Sequence, residues 1–228
     1  YKVGLYERRP DMRKGKVDIG RSINLVVTPR GLEALDRVGL REKVLELALP
    51  LEGRVLHDLE SRQDFIPYGN KAGEVINAVS RSLLNMCLLD AAEEYDNINI
   101  HFEAQCTAYD IEHHVAHFSD GRKLQSGITI GTDGAFSVLR RAMLDQVMNF
   151  NYSQSFLDHG YKELVIPADE HGKHLLRHDG LHIWPRGEYM LIALPNPDKT
   201  FTCTLFFPFE GDPSFASLNS DKKIIQFF

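Results

Sequence analysis

The chain has 228 residues, enough for one large or two small domains around a substantial core. Its 32 acidic and 26 basic side chains give a formal charge of −6, and the basic residues form no block or stripe, which argues against a nucleic-acid-binding surface. Within the residues shown, no run is long or apolar enough to span a membrane and none reads as a secretory leader, and Cys87, Cys106 and Cys203 sit far apart in apolar stretches. That pattern predicts buried thiols in a reducing compartment rather than disulfides or a zinc site.

The opening "YKVGLYERRPD" predicts a short strand ending at an acid, Glu7, followed by a solvated basic loop over Arg8 to Lys16. "INLVV" is a second strand, with Thr28 as N-cap and Pro29 as first residue of a helix carrying Leu32, Leu35 and Val38 on one side. "LREKVLELAL" continues as a second helical stretch. "RVLHDL" and "QDFIPYG" predict paired strands around the turn "ESR", and "EVINAV" a further strand. "SRSLLNMCLLDAAEEYDN" has the strongest helical pattern, with Leu84, Cys87, Leu88 and Ala91 on one apolar face.

"NINIHF", "CTAYDIE" and "HVAHF" follow as strands, with a hairpin turn at Asp120-Gly121. "SGITIGTDGAFSVLRRAM" predicts a buried strand through Ile128 and Ile130, a glycine-rich turn, and a helix opening near Ser137. Beyond Phe150, "YKELVIP", "LHIWP", "YMLIALP" and "FTCTLFFPF" are strands joined by the turns "RGE" and "NPDK", which implies an antiparallel sheet. The terminal "DKKIIQFF" reads as the start of an amphipathic helix, and both ends read as breaks within a longer protein. The expectation is a mixed α/β chain: residues 1–150 a nucleotide-binding domain with inserted substrate-contacting strands around 53–79, and residues 151–228 an antiparallel β-rich layer over a pocket.

An acid closing an early strand is one half of a nucleotide site, where it holds a ribose; the glycine-rich turn that forms the other half would lie upstream. In the turn at Gly131–Gly134, Gly134 lets the backbone bend tightly and Asp133 sits beside a helix N-terminus, so a phosphate or ribose could approach without a side chain in the way. A plain strand-to-helix turn with Asp as cap is the alternative. His113, His114 and His117 cluster, but on a strand the first two would face opposite ways and no acid or cysteine completes a metal set. Trp184 reads as packing at a strand end.

Gly131, Asp133, Gly134, Ser137 and Arg140 resemble the Asp-Gly fingerprint of FAD-dependent aromatic hydroxylases, and "LYERR" resembles that family's second strand. "GRSINLVVTPRGLEALDRVGL", "GRVLHDL" with "IPYG", "VSRSLLN", "YSQSFLDHGYKELVIP" and "LHIWPRGEYMLIALPNPDKTFTCTLFFPFE" are similar to the kynurenine 3-monooxygenase branch, in order along nearly the whole chain. Thr200 departs from a serine in that pattern.

The resemblance implies an incomplete FAD-binding Rossmann-like domain with an antiparallel substrate-covering sheet. It also implies hydroxylation of L-kynurenine by O2 through a flavin hydroperoxide, with FAD reduced by NADPH. No catalytic nucleophile or metal is expected, because the enzyme's work is to position an electron-rich ring and exclude water. Glu7, Arg8, Arg81, Asp133 and Gly134 are then cofactor-binding. Arg54 and Tyr68 would hold the substrate carboxylate, and Leu181, Met190, Ile192, Leu194 and Phe206 would line the aromatic pocket. Without its phosphate loop, the segment alone is expected to hold FAD poorly and to be inactive. Another aromatic hydroxylase, or a fragment that only binds a partner, are the rival readings. The family's members are mitochondrial outer-membrane proteins in eukaryotes, attached through a C-terminal part, and soluble in bacteria.

Overall fold

A computed structural model describes residues 1–15, 24–71 and 73–228; the "GRSI" that opens one of the family-like blocks, and Lys16 at the end of the basic loop, lie outside them. The chain divides into two compact units, Tyr1–Val17 with Leu89–Ser155 and Asp18–Leu88 with Phe156–Phe228. This differs from the expected division near residue 150. All of the 18–88 segment, not only the strands around 53–79, groups with the C-terminal part. The reason lies in strand pairing: β4 (Gly53–His57) and β5 (Gln63–Pro67) complete the C-terminal sheet.

In the first unit, β1 (Val3–Tyr6) pairs in parallel with β7 (Ile98–His101), Tyr6 opposite His101 with their rings stacked 4.7 Å apart. Parallel pairing demands a long crossover, and the chain between these strands supplies one. β8 (Cys106–Asp110), β9 (Val115–Phe118) and β10 (Lys123–Gln125) form an antiparallel meander, with Gly121 at φ +86° in the predicted hairpin turn. α4 (Val138–Gln146) is tied to β8 by its last residue. The Gln146 amide donates to the Tyr109 carbonyl at 2.8 Å and accepts from the Ile111 N–H at 2.9 Å.

The basic loop is not simply solvated. Arg13, its side chain 16 % exposed, is bound at 2.8–2.9 Å by Asp11, Asp90 and Glu93. The Arg13 guanidinium holds the Asp11 carboxyl down to about 2. The segment expected as a buried strand also differs: residues 128–133 pair with no strand among the described residues, and Ile128 and Ile130 are exposed. Without a ladder neighbour, neither face of that segment is covered.

In the second unit, β2 (Asn24–Val27), β6 (Ile76–Ser80) and β3 (Ala48–Leu51) form an antiparallel sheet in the order β2-β6-β3. α1 (Pro29–Asp36) and α2 (Arg41–Glu46) pack Leu32 and Val44 against Val27 and Val79. Thr28 occupies the N-cap, but its side chain makes no capping bond. The second helix stops at Glu46, because the following "ALPL" pairs with β6 as β3 instead of continuing the helical pattern. α3 (Arg81–Glu93) spans the division between units; Leu84 and Cys87 pack on the α1–α2 core and Ala91 is buried, while Leu88 is exposed. Of the three cysteines only Cys203 is fully buried, and all three are free thiols.

β11 (His159–Ile166), β12 (Gly180–Arg186), β13 (Tyr189–Pro195) and β14 (Phe201–Pro208) make the expected hairpins over Gly187 and Lys199, both at positive φ. β11 joins β14 rather than β12, giving the sheet order β11-β14-β13-β12-β4-β5. The first four strands thus form a Greek key. Within this sheet, among the described residues, only the β12–β4 pairing is parallel. The chain ends in the expected helix, α5 (Asp221–Phe227), which the Ser220 hydroxyl caps. No helix of the described residues is long and apolar enough to cross a membrane.

Candidate functional site

In a pleated sheet, residues directly paired across strands point to the same face, so register assigns every side chain a side. One face of the six-stranded sheet carries Val55, His182, Ala193 and Cys203 in a continuous cross-strand row, all buried. The opposite face carries Arg54 beside Leu181; Leu56, Ile183, Ile192 and Thr204 in a row; and Met190 beside Phe206. Leu194 alternates with Ile192 and Met190 along β13 and completes it. All six sheet residues expected from sequence to contact substrate therefore share one face. It is apolar and half-buried, with Phe206 still 37 % exposed.

Arg54 stands at one end of this face because Gly53 lets β4 and β5 close tightly just before it. A Cβ at Gly53 would run into the Ile66 carbonyl and the Phe65 ring. Its guanidinium lies 5.7 Å from the Tyr68 ring centroid, and it forms no ion pair among the described residues. Tyr68 follows β5, fixed by its N–H to the Glu52 carbonyl at 2.9 Å. Burial pushes the Tyr68 hydroxyl above its ordinary value, with the Arg54 charge opposing that rise, so the phenol stays a neutral donor. Leu51, Ala78, Val26 and Ile76 from the three-stranded sheet pack around Tyr68, Leu181 and Leu194. The result is an apolar platform with an exposed cation and a partly buried phenol at one end. It can hold a flat ring and grip an anionic tail.

The expected cofactor residues of the first unit fall at two places. Glu7, a half-buried residue, follows the C-terminal end of β1, its N–H bonded to the His101 carbonyl and its carboxylate accepting from the Arg9 N–H at 2.8 Å. Arg8 beside it is exposed. Asp133 caps α4: it accepts from Ser137 Oγ at 2.6 Å and from the N–H groups of Val138 at 2.6 Å and Leu139 at 3.4 Å. Partial burial pushes its carboxyl up, but these bonds outweigh that and hold it below the usual range. Gly134 turns at φ +79°, where a side chain would be strained. Arg140 bonds the Gly134 and Ala135 carbonyls and lies 5.0 Å from the Tyr152 ring centroid. Arg81, in the second unit, opens α3 and is exposed.

His113 and His114 lie in a turn after β8, not on a strand, and His113 is engaged by Asp110 at 2.9 Å. Trp184 packs face to face on His57, ring centroids 4.1 Å apart. Sequence reading missed Leu56, Ile183 and Thr204 on the apolar face. The alternation along β12 and β14 would have found the last two.

No family profile matches the chain. Among curated proteins it is 44 % identical over 231 residues to kynurenine 3-monooxygenase of Myxococcus xanthus, 46 % over 231 residues to that of Flavobacterium johnsoniae and 39 % over 229 residues to that of Dictyostelium discoideum. These matches cover 99–100 % of the chain but only 49–51 % of each relative, so the chain spans about half the length of the curated relatives it matches. Among solved structures, 2-methyl-3-hydroxypyridine-5-carboxylic acid oxygenase superposes with a TM-score of 0.75 at 17 % identity, covering 99 % of this chain and 57 % of that one. PqsL of Pseudomonas aeruginosa, a probable FAD-dependent monooxygenase, superposes with a TM-score of 0.69 at 14 % identity, covering 91 % and 54 %. The latter two similarities establish the fold alone, and along its whole length the chain is similar in sequence to about half of each of these kynurenine 3-monooxygenases.

Proposed function

We propose that this chain carries the substrate platform and part of the cofactor site of an enzyme that hydroxylates L-kynurenine to 3-hydroxy-L-kynurenine, using O2, FAD and NADPH. One observation carries the reading: the seven residues assigned to substrate from sequence gather around one apolar face with Arg54 and Tyr68 at one end. Kynurenine has matching chemistry, an aminobenzoyl ring and an amino-acid carboxylate. PqsL has been crystallised with 2-aminobenzoylacetate, which also joins an aminobenzoyl ring to a carboxylate.

The residues present fit a dinucleotide. A half-buried acid beyond the carboxyl end of a parallel strand is where such folds hold a ribose. At Gly134 no heavy atom lies within 4 Å of the position a Cβ would take, so the turn is open to close approach. Within the first unit, Glu7 would hold the adenosine ribose and the turn at Asp133–Gly134 would contact another part of the cofactor; for Arg81, in the second unit, the resemblance alone supports a cofactor role. When bound, FAD supplies the electron transfer and oxygen activation that no side chain of this chain provides. The chain's own part is binding and orientation. Arg54 takes the carboxylate bidentately, Tyr68 donates to it, and the Leu181–Phe206 face lays the ring flat and keeps water from it.

The test is expression of the full-length polypeptide followed by NADPH oxidation and 3-hydroxykynurenine formation. Kynurenine should accelerate oxidation, with product formed in step. Acceleration without hydroxylated product, or none at all, overturns the reading.

A further inference from the structure

Thr204 is a buried polar residue of the apolar face whose chemistry the proposed function leaves unused. It lies in the middle of β14, paired with Ile192 on one side and Glu163 on the other, so its side chain shares the face of Ile192, Met190 and Phe206. The residue is only 7 % exposed. Its neighbour on the same face, Thr202, has its hydroxyl bonded by the Asn196 amide at 3.1 Å. Among the described residues the Thr204 hydroxyl has no such partner. Every fully enclosed side-chain nitrogen or oxygen among those residues is hydrogen-bonded. An unbonded hydroxyl on a residue this buried must therefore open onto the face itself.

A polar group in an apolar wall carries a desolvation cost unless a ligand bonds it. Its position suggests which ligand group. Arg54 is on β4 and Thr204 on β14, three strands apart, or ~14 Å at the usual strand spacing. An extended arginine side chain and a benzoyl acid together bridge that distance, with the carboxylate toward Arg54 and the far edge of the ring toward Thr204. The adjoining Glu163 carboxylate, without an ion pair among the described residues, gives that end a negative potential, which favours a donor over an acceptor.

We infer that the Thr204 hydroxyl is the second polar anchor of the site and accepts a hydrogen bond from the ring amine of the substrate. The inference rests on the proposed function. Its consequence is positional: fixing the amine fixes the ring carbon beside it, the one to be hydroxylated. Arg54 then sets where the molecule lies, and Thr204 sets which edge of the ring faces the cofactor.

The test uses the full-length polypeptide and two probes, L-kynurenine and its analogue lacking the ring amine, with dissociation constants from calorimetry. Thr204→Val keeps the branched shape that suits a strand, and Thr204→Ser keeps the hydroxyl. Thr204→Val should weaken kynurenine binding about 3- to 10-fold, leave the deaminated analogue unchanged, and lower the fraction of NADPH oxidation that yields hydroxylated product. Thr204→Ser should restore kynurenine affinity. Equal weakening of both probes, or no change for kynurenine, overturns the inference while leaving the functional reading intact. A wild-type protein that binds neither probe overturns both.

Discussion

The Arg54 guanidinium sits 5.7 Å from the centre of the Tyr68 ring, at one end of a largely apolar sheet face whose other end carries Glu163. The Tyr68 ring packs on Leu51, Ala78 and Leu194, while Arg54 has no ion pair among the described residues and burial keeps the Tyr68 hydroxyl protonated. A guanidinium without an ion pair beside a neutral phenol is suited to an external anion. Removing the cation should then show in binding rather than in stability. Arg54→Ala is expected to raise the KM for kynurenine about 10- to 100-fold, the scale of a lost charged hydrogen bond, with thermal stability and flavin content unchanged. Arg54→Lys should fall between, because an ammonium loses the paired geometry. Steady-state kinetics beside a melting curve decides it, and an unchanged KM removes Arg54 from the site.

Tyr68 acts as a neutral donor, so its removal should cost less. Tyr68→Phe keeps the packing against Leu51, Ala78 and Leu194 and deletes only the hydroxyl. The expected rise in KM is about 3- to 10-fold. Because burial raises the phenol above its ordinary value of 10.0, kynurenine binding should show no limb from its ionisation below pH 10. A basic limb present in wild type and absent in Tyr68→Phe would contradict that.

The sequence made the strands visible but not their neighbours. Alternation in "YMLIALP" put Met190, Ile192 and Leu194 on one face, and pairing bears this out. That Arg54 joins them depends on β4 pairing in parallel with β12 across more than a hundred residues, which no local pattern encodes. The same non-local fact moved the division between units. Where local pattern failed, a partner was wanting or intervened: Ile128 and Ile130 alternate as a strand does, yet find no ladder; "ALPL" continues a helical spacing, yet pairs with β6. Asp133 was legible as both a helix cap and a ligand group. The structure shows the capping bonds in place, and the resemblance alone carries the ligand role.

His57 and His182 form a buried pair that should make the second unit acid-sensitive. His182 Nε2 faces the Arg177 carbonyl at 2.7 Å and so carries the proton, which leaves His182 Nδ1 as acceptor for His57 Nε2–H at 2.8 Å. Burial, His182 and Arg186 lower His57 from 6.5 to about 4, and burial lowers His182 as well. An unfolded chain would bind these protons from about pH 6.5 downward, whereas the folded one resists until about 4. Stability is thus complete above 6.5 and lost as the pH falls toward 4, with no further loss from His57 below that. Denaturant unfolding at several pH values should show this slope. His57→Gln, which retains an N–H donor, should flatten it; an identical slope in the variant would place its origin elsewhere.

Asp133 carries two separable roles, and a pair of substitutions can divide them. Its carboxylate takes three bonds from the first turn of α4, so Asp133→Ala should destabilise the fold by about 1 kcal/mol, the usual cost of a lost helix cap. The bonds hold the carboxyl below its ordinary 3.8, which fixes the sign: the contribution is present above that pH and is lost as the carboxylate protonates at lower pH. Asp133→Asn keeps one acceptor oxygen and should recover much of the stability. Charge, however, is gone in both variants. If Asp133 also meets the nicotinamide nucleotide or flavin, the KM for NADPH or the flavin occupancy of the full-length polypeptide should change by a similar factor in both, although only the alanine variant melts early. If cofactor parameters instead follow stability, changed in the alanine variant and normal in the asparagine one, Asp133 serves the cofactor only by holding α4 in place. Melting temperature and NADPH kinetics, measured on the same preparations, separate the two.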